Sequence, residues 1–430
     1  MGALFLLTIF GLCEFLVYYV YRTVCTPLSI FNFMWCIMPV FALLEVGGLI
    51  APSFITICWI CVAIISFNVS AFLFGASRKS HTMTILKKDS LVNWRSVEYR
   101  RGIIIFFNLL AIAYTMLYIG KSINILKNGG LAELRYQYLN TSQLGNIMST
   151  KEALIYQWLC IPIYTVDALL FVLNIIAKKK DIMLIVFAIV GVVLRTLMSA
   201  ERTGIFELVS FFIIAYILYP NKKKIKLSMS QKIAIIILSI SLIYITSIRK
   251  IGDATLLENI IIYFAGPISY LNHIILNPSK FGIGKEYLLG QASLGFLINI
   301  VYIIIWFVFK FEYNGSEAII SSYTRYYLPI TENESGNHMY TMMYPFLLDY
   351  GFIGIILGMA VMGIVASKLY LKANKKNNNP TRWLLCCIYV SYTLFYSLFE
   401  YRFVYPATFF IVLFVFIFSS KPKNARRTYE

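Results

Sequence analysis

The sequence predicts an all-α polytopic membrane protein, and three observations carry that prediction. Of 430 residues, 59% are hydrophobic and only 13% charged, with a mean hydropathy of +0.74; a soluble domain carries about a quarter of its residues as charges. Apolar runs long enough to cross a bilayer recur along the whole chain. The basic residues cluster in the short segments between those runs. A net charge of +18 would point to nucleic acid in a soluble protein. Beside apolar runs it is better spent on anionic lipid headgroups and on orientation, so membrane lipids, and no nucleic acid, are the expected partners.

The first run, at 2–20, has no basic leader and no clear cleavage site, so it reads as a retained helix. Further spanning runs follow at 28–50, 54–76, 102–120, 153–177, 183–198, 205–219, 231–247, 346–370, 383–399 and 405–419. Two more, at 257–276 and 288–309, are ambiguous. The first of these carries Glu258, His273 and an interrupting Gly266-Pro267; the second opens with Gly290, Gln291, Ser293, Gly295 and Asn299. Both are therefore expected to be amphipathic or re-entrant rather than spanning.

Charge then sets the topology. With 21–27, 77–101, 178–182, 220–232, 368–382 and 420–430 on the cytoplasmic side, that side holds roughly 25 of the 38 basic residues. The N-terminus is then outside and the C-terminus inside, with about eleven spans. If only one of the ambiguous runs crossed, the late basic clusters would face out. The expected organisation is one integral membrane domain, 1–430, with a first external loop at 121–152 and a large late one at 248–345. Cys58-Trp-Ile-Cys61 has redox-motif spacing, but it lies in an apolar run with no nearby histidine and reads as small buried hydrophobes.

The stretch from Arg325 to Gly358 organises the rest: a polar, aromatic loop runs directly into an apolar helix. Tyr340 and Tyr344 suit the headgroup level. Asp349 lies one or two turns inside the helix, where a carboxylate needs a partner such as a buried arginine, Arg195 for example. Gly354 and Gly358 have the small-xxx-small spacing that lets another helix approach. The external basic residues include Arg135, Arg202, Arg249, Lys250, Arg325 and Arg402. Arg195 lies about two turns below Arg202 and faces the bundle interior, or pairs with Glu201 or Glu207. Arginine presents a fixed fork of donors that matches phosphate and pyrophosphate. His338 is able to take a proton near neutral pH. Glu14, Glu45 and Asp167 are further carboxylates in apolar surroundings, and they keep a proton-coupled transporter open as a reading.

Three motifs carry a resemblance: Asn337-His-Met-Tyr340-Thr341 followed by Asp349-Tyr-Gly351-Phe-Ile-Gly354; Glu201-Arg202-Thr203-Gly204; and Tyr263-Phe-Ala-Gly266-Pro267. On these the chain resembles the bacterial O-antigen and capsular oligosaccharide repeat-unit polymerases. Arg325 to Gly336 also fits the family's spacing of an arginine, ten residues and a glycine, whereas Arg135 to Gly145 is one residue short. The resemblance implies a GT-C-like, metal-independent glycosyltransferase without cofactor, in the inner (cytoplasmic) membrane. It would polymerise undecaprenyl-pyrophosphate-linked oligosaccharides at the periplasmic face, with a chain-length regulator protein as a further partner. It implies catalytic roles for Arg202, Arg249 and Arg325 on pyrophosphate and for His338 as base. Arg135, Arg195, Lys250, Asn337, Tyr340 and Asp349 would bind substrate or hold its site, with Asp349 fixing an arginine or tyrosine. The alternatives are a lipid-linked oligosaccharide flippase or transporter, and an O-antigen ligase. No pseudo-repeated halves are visible, which weighs against the transporter.

Overall fold

The computed structural model describes residues 2–77, 94, 96–139, 147–179, 181–199, 203–220, 255–310, 314–336, 339–375 and 379–420. Helices occupy all of the expected spanning runs except 231–247, which lies outside the described residues. Seven described helices are long and apolar enough to cross a membrane: α1 (Gly2–Tyr21), α3 (Phe54–Ala76), the Arg101–Gly130 part of α4 (Arg101–Leu139), α5 (Thr150–Ile176), α6 (Ile182–Ser199), α8 (Leu256–Leu276, over Leu257–Leu276) and α11 (Met343–Asn374). Shorter apolar helices are α2 (Pro27–Leu43), α7 (Thr203–Leu218), α9 (Gly295–Phe309) and α13 (Pro406–Phe418). With α10 (Ser316–Thr324) and α12 (Pro380–Tyr396) they make a multi-span, largely helical membrane protein.

The chain divides into two compact units, each drawn from separate stretches of sequence. The first comprises Met1–Thr84, Ile243–Leu371 and Val390–Pro406. Its helices start where the sequence supplies caps. Thr26 accepts from the Ser29 amide with Pro27 at the first helical position of α2, and Ser53 accepts from the Thr56 amide at α3. Thr255 and Glu258 form a reciprocal capping box at α8. The core holds Phe31 stacked on Phe67 with ring centroids 4.0 Å apart, and Trp35, whose indole N–H donates to Ser397 Oγ at 2.7 Å. Asn32 and Asn68 exchange amide hydrogen bonds of 3.2 and 2.7 Å. Glu14 joins them, accepting from Asn32 Nδ2 at 2.9 Å and Ser29 Oγ at 2.8 Å.

Two expectations are corrected in this unit. Glu45 does not lie inside a helix of its apolar run: it is exposed, in the turn after α2, with φ of +52°. Gly266-Pro267 does not interrupt its run either, because α8 is one helix of 21 residues. The helix carries its proline because Gly266 lets Ile330 pack against it and the residues on both sides are buried, which offsets the lost backbone bond.

The second unit comprises Ile85–Leu242, Lys372–Tyr389 and Ala407–Glu430. Here α4 continues to Leu139 through a break at Gly130, so much of the expected loop at 121–152 is helical. α5 contains a π turn at Tyr156–Cys160, which accommodates the extra residue before Pro162. Gly191 of α6 lies against the Tyr164 ring, and a Cβ there would stand 2.9 Å from it. Tyr164 and Thr115 share a hydroxyl hydrogen bond of 2.8 Å, tying α5 to α4. None of the eight cysteines in the chain forms a disulfide.

Candidate functional site

The organising stretch folds in an unusual way. Arg325 ends α10, and the ten residues that separate it from Gly336 form a small hairpin, Leu328–Pro329 pairing antiparallel with Ser335–Gly336. The hairpin is held at its base by His273, whose Nε2 lies 2.9 Å from the Pro329 carbonyl. Arg325 itself is exposed, its guanidinium 5.6 Å from the centre of the Tyr326 ring. Beyond the hairpin, Thr341 takes a positive φ of 55° and its hydroxyl accepts from the Met343 amide, starting α11.

α11 runs as a short piece from Met343, breaks at Tyr350 (φ −143°, ψ 16°) and Gly351 (φ 62°, ψ −151°), and continues to Asn374. Glycine is required at the second of these positions because its backbone lies where a side chain would be strained. Asp349 stands at the break, fully buried. Its carboxylate accepts from the Ala292 amide at 2.9 Å and the Ser293 amide at 2.7 Å. This corrects the expected partner. Asp349 fastens the backbone of the turn before α9 rather than an arginine or a tyrosine, and backbone amides meet the need for a partner without a counter-charge. The small residues are corrected as well. A Cβ on Gly354 would overlap the Phe346 carbonyl and one on Gly358 the Phe346 ring, so both accommodate the short first piece of the same helix. It is Gly363, against the Phe67 backbone of α3, that admits a neighbouring helix.

Tyr340 and Tyr344 are buried within the protein. Tyr344 donates to the Phe281 carbonyl at 2.7 Å. Tyr340 opens a polar chain: its hydroxyl lies 3.5 Å from that of Tyr405, Tyr405 donates to Glu400 Oε2 at 2.9 Å, and Glu400 Oε1 pairs with Arg402 Nε at 2.9 Å. Arg402 donates to the Tyr392 hydroxyl at 3.4 Å and lies 4.4 Å from the centre of the Tyr396 ring. Burial first, then the negative charge of Glu400, holds both Tyr340 and Tyr405 well above the usual tyrosine range; the exposed carboxylate of Glu317 acts on both in the same sense. The phenols therefore stay neutral donors beside a carboxylate.

Sequence reasoning missed this network. The signal was Glu400-Tyr-Arg402-Phe-Val-Tyr405, four hydrogen-bonding side chains between two apolar runs, yet nothing in the spacing links it to Tyr340. The reading of Arg402 as a solvated turn residue is corrected: its side chain is 16% exposed. Arg402→Lys should consequently lower the melting temperature, because lysine loses the planar fork that meets Glu400 and Tyr392 together. The expected cost is roughly 1–3 kcal/mol, the usual worth of a charge-assisted hydrogen bond. A variant melting with the parent would return Arg402 to the solvated class.

The other expected site residues divide in two groups. Arg135 is exposed on the last part of α4. Arg195 is buried in the second unit, where both ends of its fork meet Glu207 and one also reaches Thr165 Oγ1 at 3.5 Å. It pairs with Glu207, one of the two glutamates expected, while Glu201 lies outside the described residues. Arg202, Arg249, Lys250, Asn337 and His338 lie outside the described residues. No family model, no curated protein and no solved structure matches this chain.

Proposed function

We propose that the chain is a membrane-embedded glycosyltransferase that polymerises lipid-pyrophosphate-linked oligosaccharide repeat units at the outer face of the bacterial inner membrane. One observation carries this reading. The motif residues Tyr340, Thr341, Asp349, Gly351 and Gly354 each have a defined structural job around a broken helix, and Tyr340 leads into a network of hydroxyls, carboxylate and arginine. A break in an apolar helix is tolerated where its backbone is buried in protein or lines a polar cavity, so the broken helix marks where a polar headgroup could be received.

In this reading Arg202, Arg249 and Arg325 carry the pyrophosphate. The acceptor hydroxyl attacks the anomeric carbon, the bond from that carbon to pyrophosphate breaks, and fixed positive charge stabilises the departing group. Arg135 and Lys250 extend the anionic site. His338 takes the acceptor proton. The N-terminus lies outside and the C-terminus inside, with about eleven spans in a GT-C-like arrangement.

The test is deletion of the gene followed by electrophoresis of surface polysaccharide. Loss of a polymerase leaves a single repeat unit on the lipid anchor, whereas loss of a ligase or flippase leaves none. A ladder of normal length would end the proposal. A flippase is kept as the second reading because of one observation, the buried carboxylate Asp167 in the second unit. Orientation is checked separately. Arg135→Cys and Glu334→Cys should react with an impermeant thiol reagent in intact cells, and Lys376→Cys only after permeabilisation. Outside labelling at position 376 would invert the map.

A further inference from the structure

Asp167 lies in the middle of α5 and is fully buried. Neither of its carboxylate oxygens has a hydrogen-bond partner among the described residues. Its polar neighbour is Asn108 of α4, also fully buried. One N–H of the Asn108 amide donates to the Ile104 carbonyl at 3.0 Å, which tells its nitrogen from its oxygen, and its second N–H makes no hydrogen bond to either Asp167 oxygen. That leaves Asn108 Oδ1, which also has no partner among the described residues. Three buried acceptor oxygens, two on Asp167 and one on Asn108, thus have no hydrogen-bond partner among the described residues.

Among the described residues, the titratable groups on the elements around Asp167 do not supply a cation. Arg195 on α6 and Glu207 on α7 are taken up by each other. On α5 itself, the Tyr164 hydroxyl is shared with Thr115 at 2.8 Å, and the Cys160 thiol points to the Ala111 carbonyl at 3.7 Å. α13, which meets α5 through Phe410 and Trp158, has no titratable side chain. A buried carboxylate with no cation beside it is neutralised rather than left charged. A hard metal ion is a poor neutraliser here, since it takes about six oxygen ligands and this pair offers three. A proton needs only one oxygen to sit on and one to face.

We propose that Asp167 and Asn108 form a proton-binding site inside the second unit, with the acid O–H of Asp167 donating to Asn108 Oδ1. The proton is held while the site is dry. A rearrangement that admits water lets the carboxylate hydrate and pass its proton to water, leaving one carboxylate and one hydronium. Proton release is thereby linked to opening of this part of the bundle, and a rise in pH favours the open form. The inference stands on this unit's geometry and does not depend on the glycosyl-transfer reading.

Infrared spectroscopy of the full chain in liposomes at neutral pH tests it. The wild-type minus Asp167→Asn difference should contain the C=O stretch of a protonated carboxylic acid, lost in the variant. Asn108→Leu keeps a neutral side chain of similar size but removes the acceptor, so the same band should persist and move to higher frequency. Should Asp167→Asn fail to fold, the wild-type and Asn108→Leu spectra decide between the outcomes alone. The proposal is overturned by ionised-carboxylate bands in the Asp167 difference, by an acid band that does not move in Asn108→Leu, or by its disappearance when sodium is added at fixed pH.

Discussion

Asp349→Ala should remove most of the folded protein from the membrane fraction and sharply lower the melting temperature of what remains. The carboxylate is the acceptor for two buried amides, those of Ala292 and Ser293. Alanine leaves both N–H groups in a site that water does not reach, and each such orphan costs about 1–3 kcal/mol. Against a typical native stability of about 5–15 kcal/mol, the pair is a large loss. The same geometry ranks a second variant. Asparagine has one oxygen, so Asp349→Asn satisfies one amide and sets its own N–H₂ against the other. It should fall between wild type and alanine. Thermal melting of detergent-purified protein, alongside membrane abundance, measures both. Wild-type melting of Asp349→Ala would mean that the turn before α9 is held by something else.

That ranking marks where sequence reasoning stops. The apolar runs and the place of Asp349 inside a helix were legible because burial and periodicity are written locally. Its partner was not, because backbone amides leave no trace in residue identity: Ala292 and Ser293 look like any small residues before a helix. Gly354 and Gly358 have the spacing of a helix–helix contact, but it is Phe346, from the preceding turns of the same helix, that fills the space. The Arg195–Glu207 pair lay within reach of sequence argument, being twelve residues apart on consecutive helices, and was one of the pairings considered. The Tyr340 network was out of reach, since its members are separated by most of two helices and meet only in the folded unit. Proline and glycine inside α8 show the opposite error, where a local rule for breaking helices was outweighed by burial on both sides of the break.

Arg325→Lys should slow polymerisation by about 10²–10³ while leaving protein abundance and melting unchanged, the size expected when one oriented donor to a departing group is lost. Abundance is spared because Arg325 is exposed at the end of α10, and exposed substitutions usually stay within about 0.5 kcal/mol. Lysine keeps the charge and is still able to lie over the Tyr326 ring, which stands 5.6 Å from the guanidinium carbon. What it cannot keep is the planar fork that meets two phosphate oxygens at once. The substitution therefore isolates bidentate geometry from both charge and stacking. Arg402→Lys is the matched control, expected to lose stability without loss of the chemical step, since Arg402 is engaged by Glu400, Tyr392 and Tyr396. Single-turnover transfer from a synthetic lipid-pyrophosphate donor, measured at matched levels of folded protein, separates the two. A rate for Arg325→Lys within a few-fold of wild type would take Arg325 out of the pyrophosphate site and leave that role to Arg202 and Arg249.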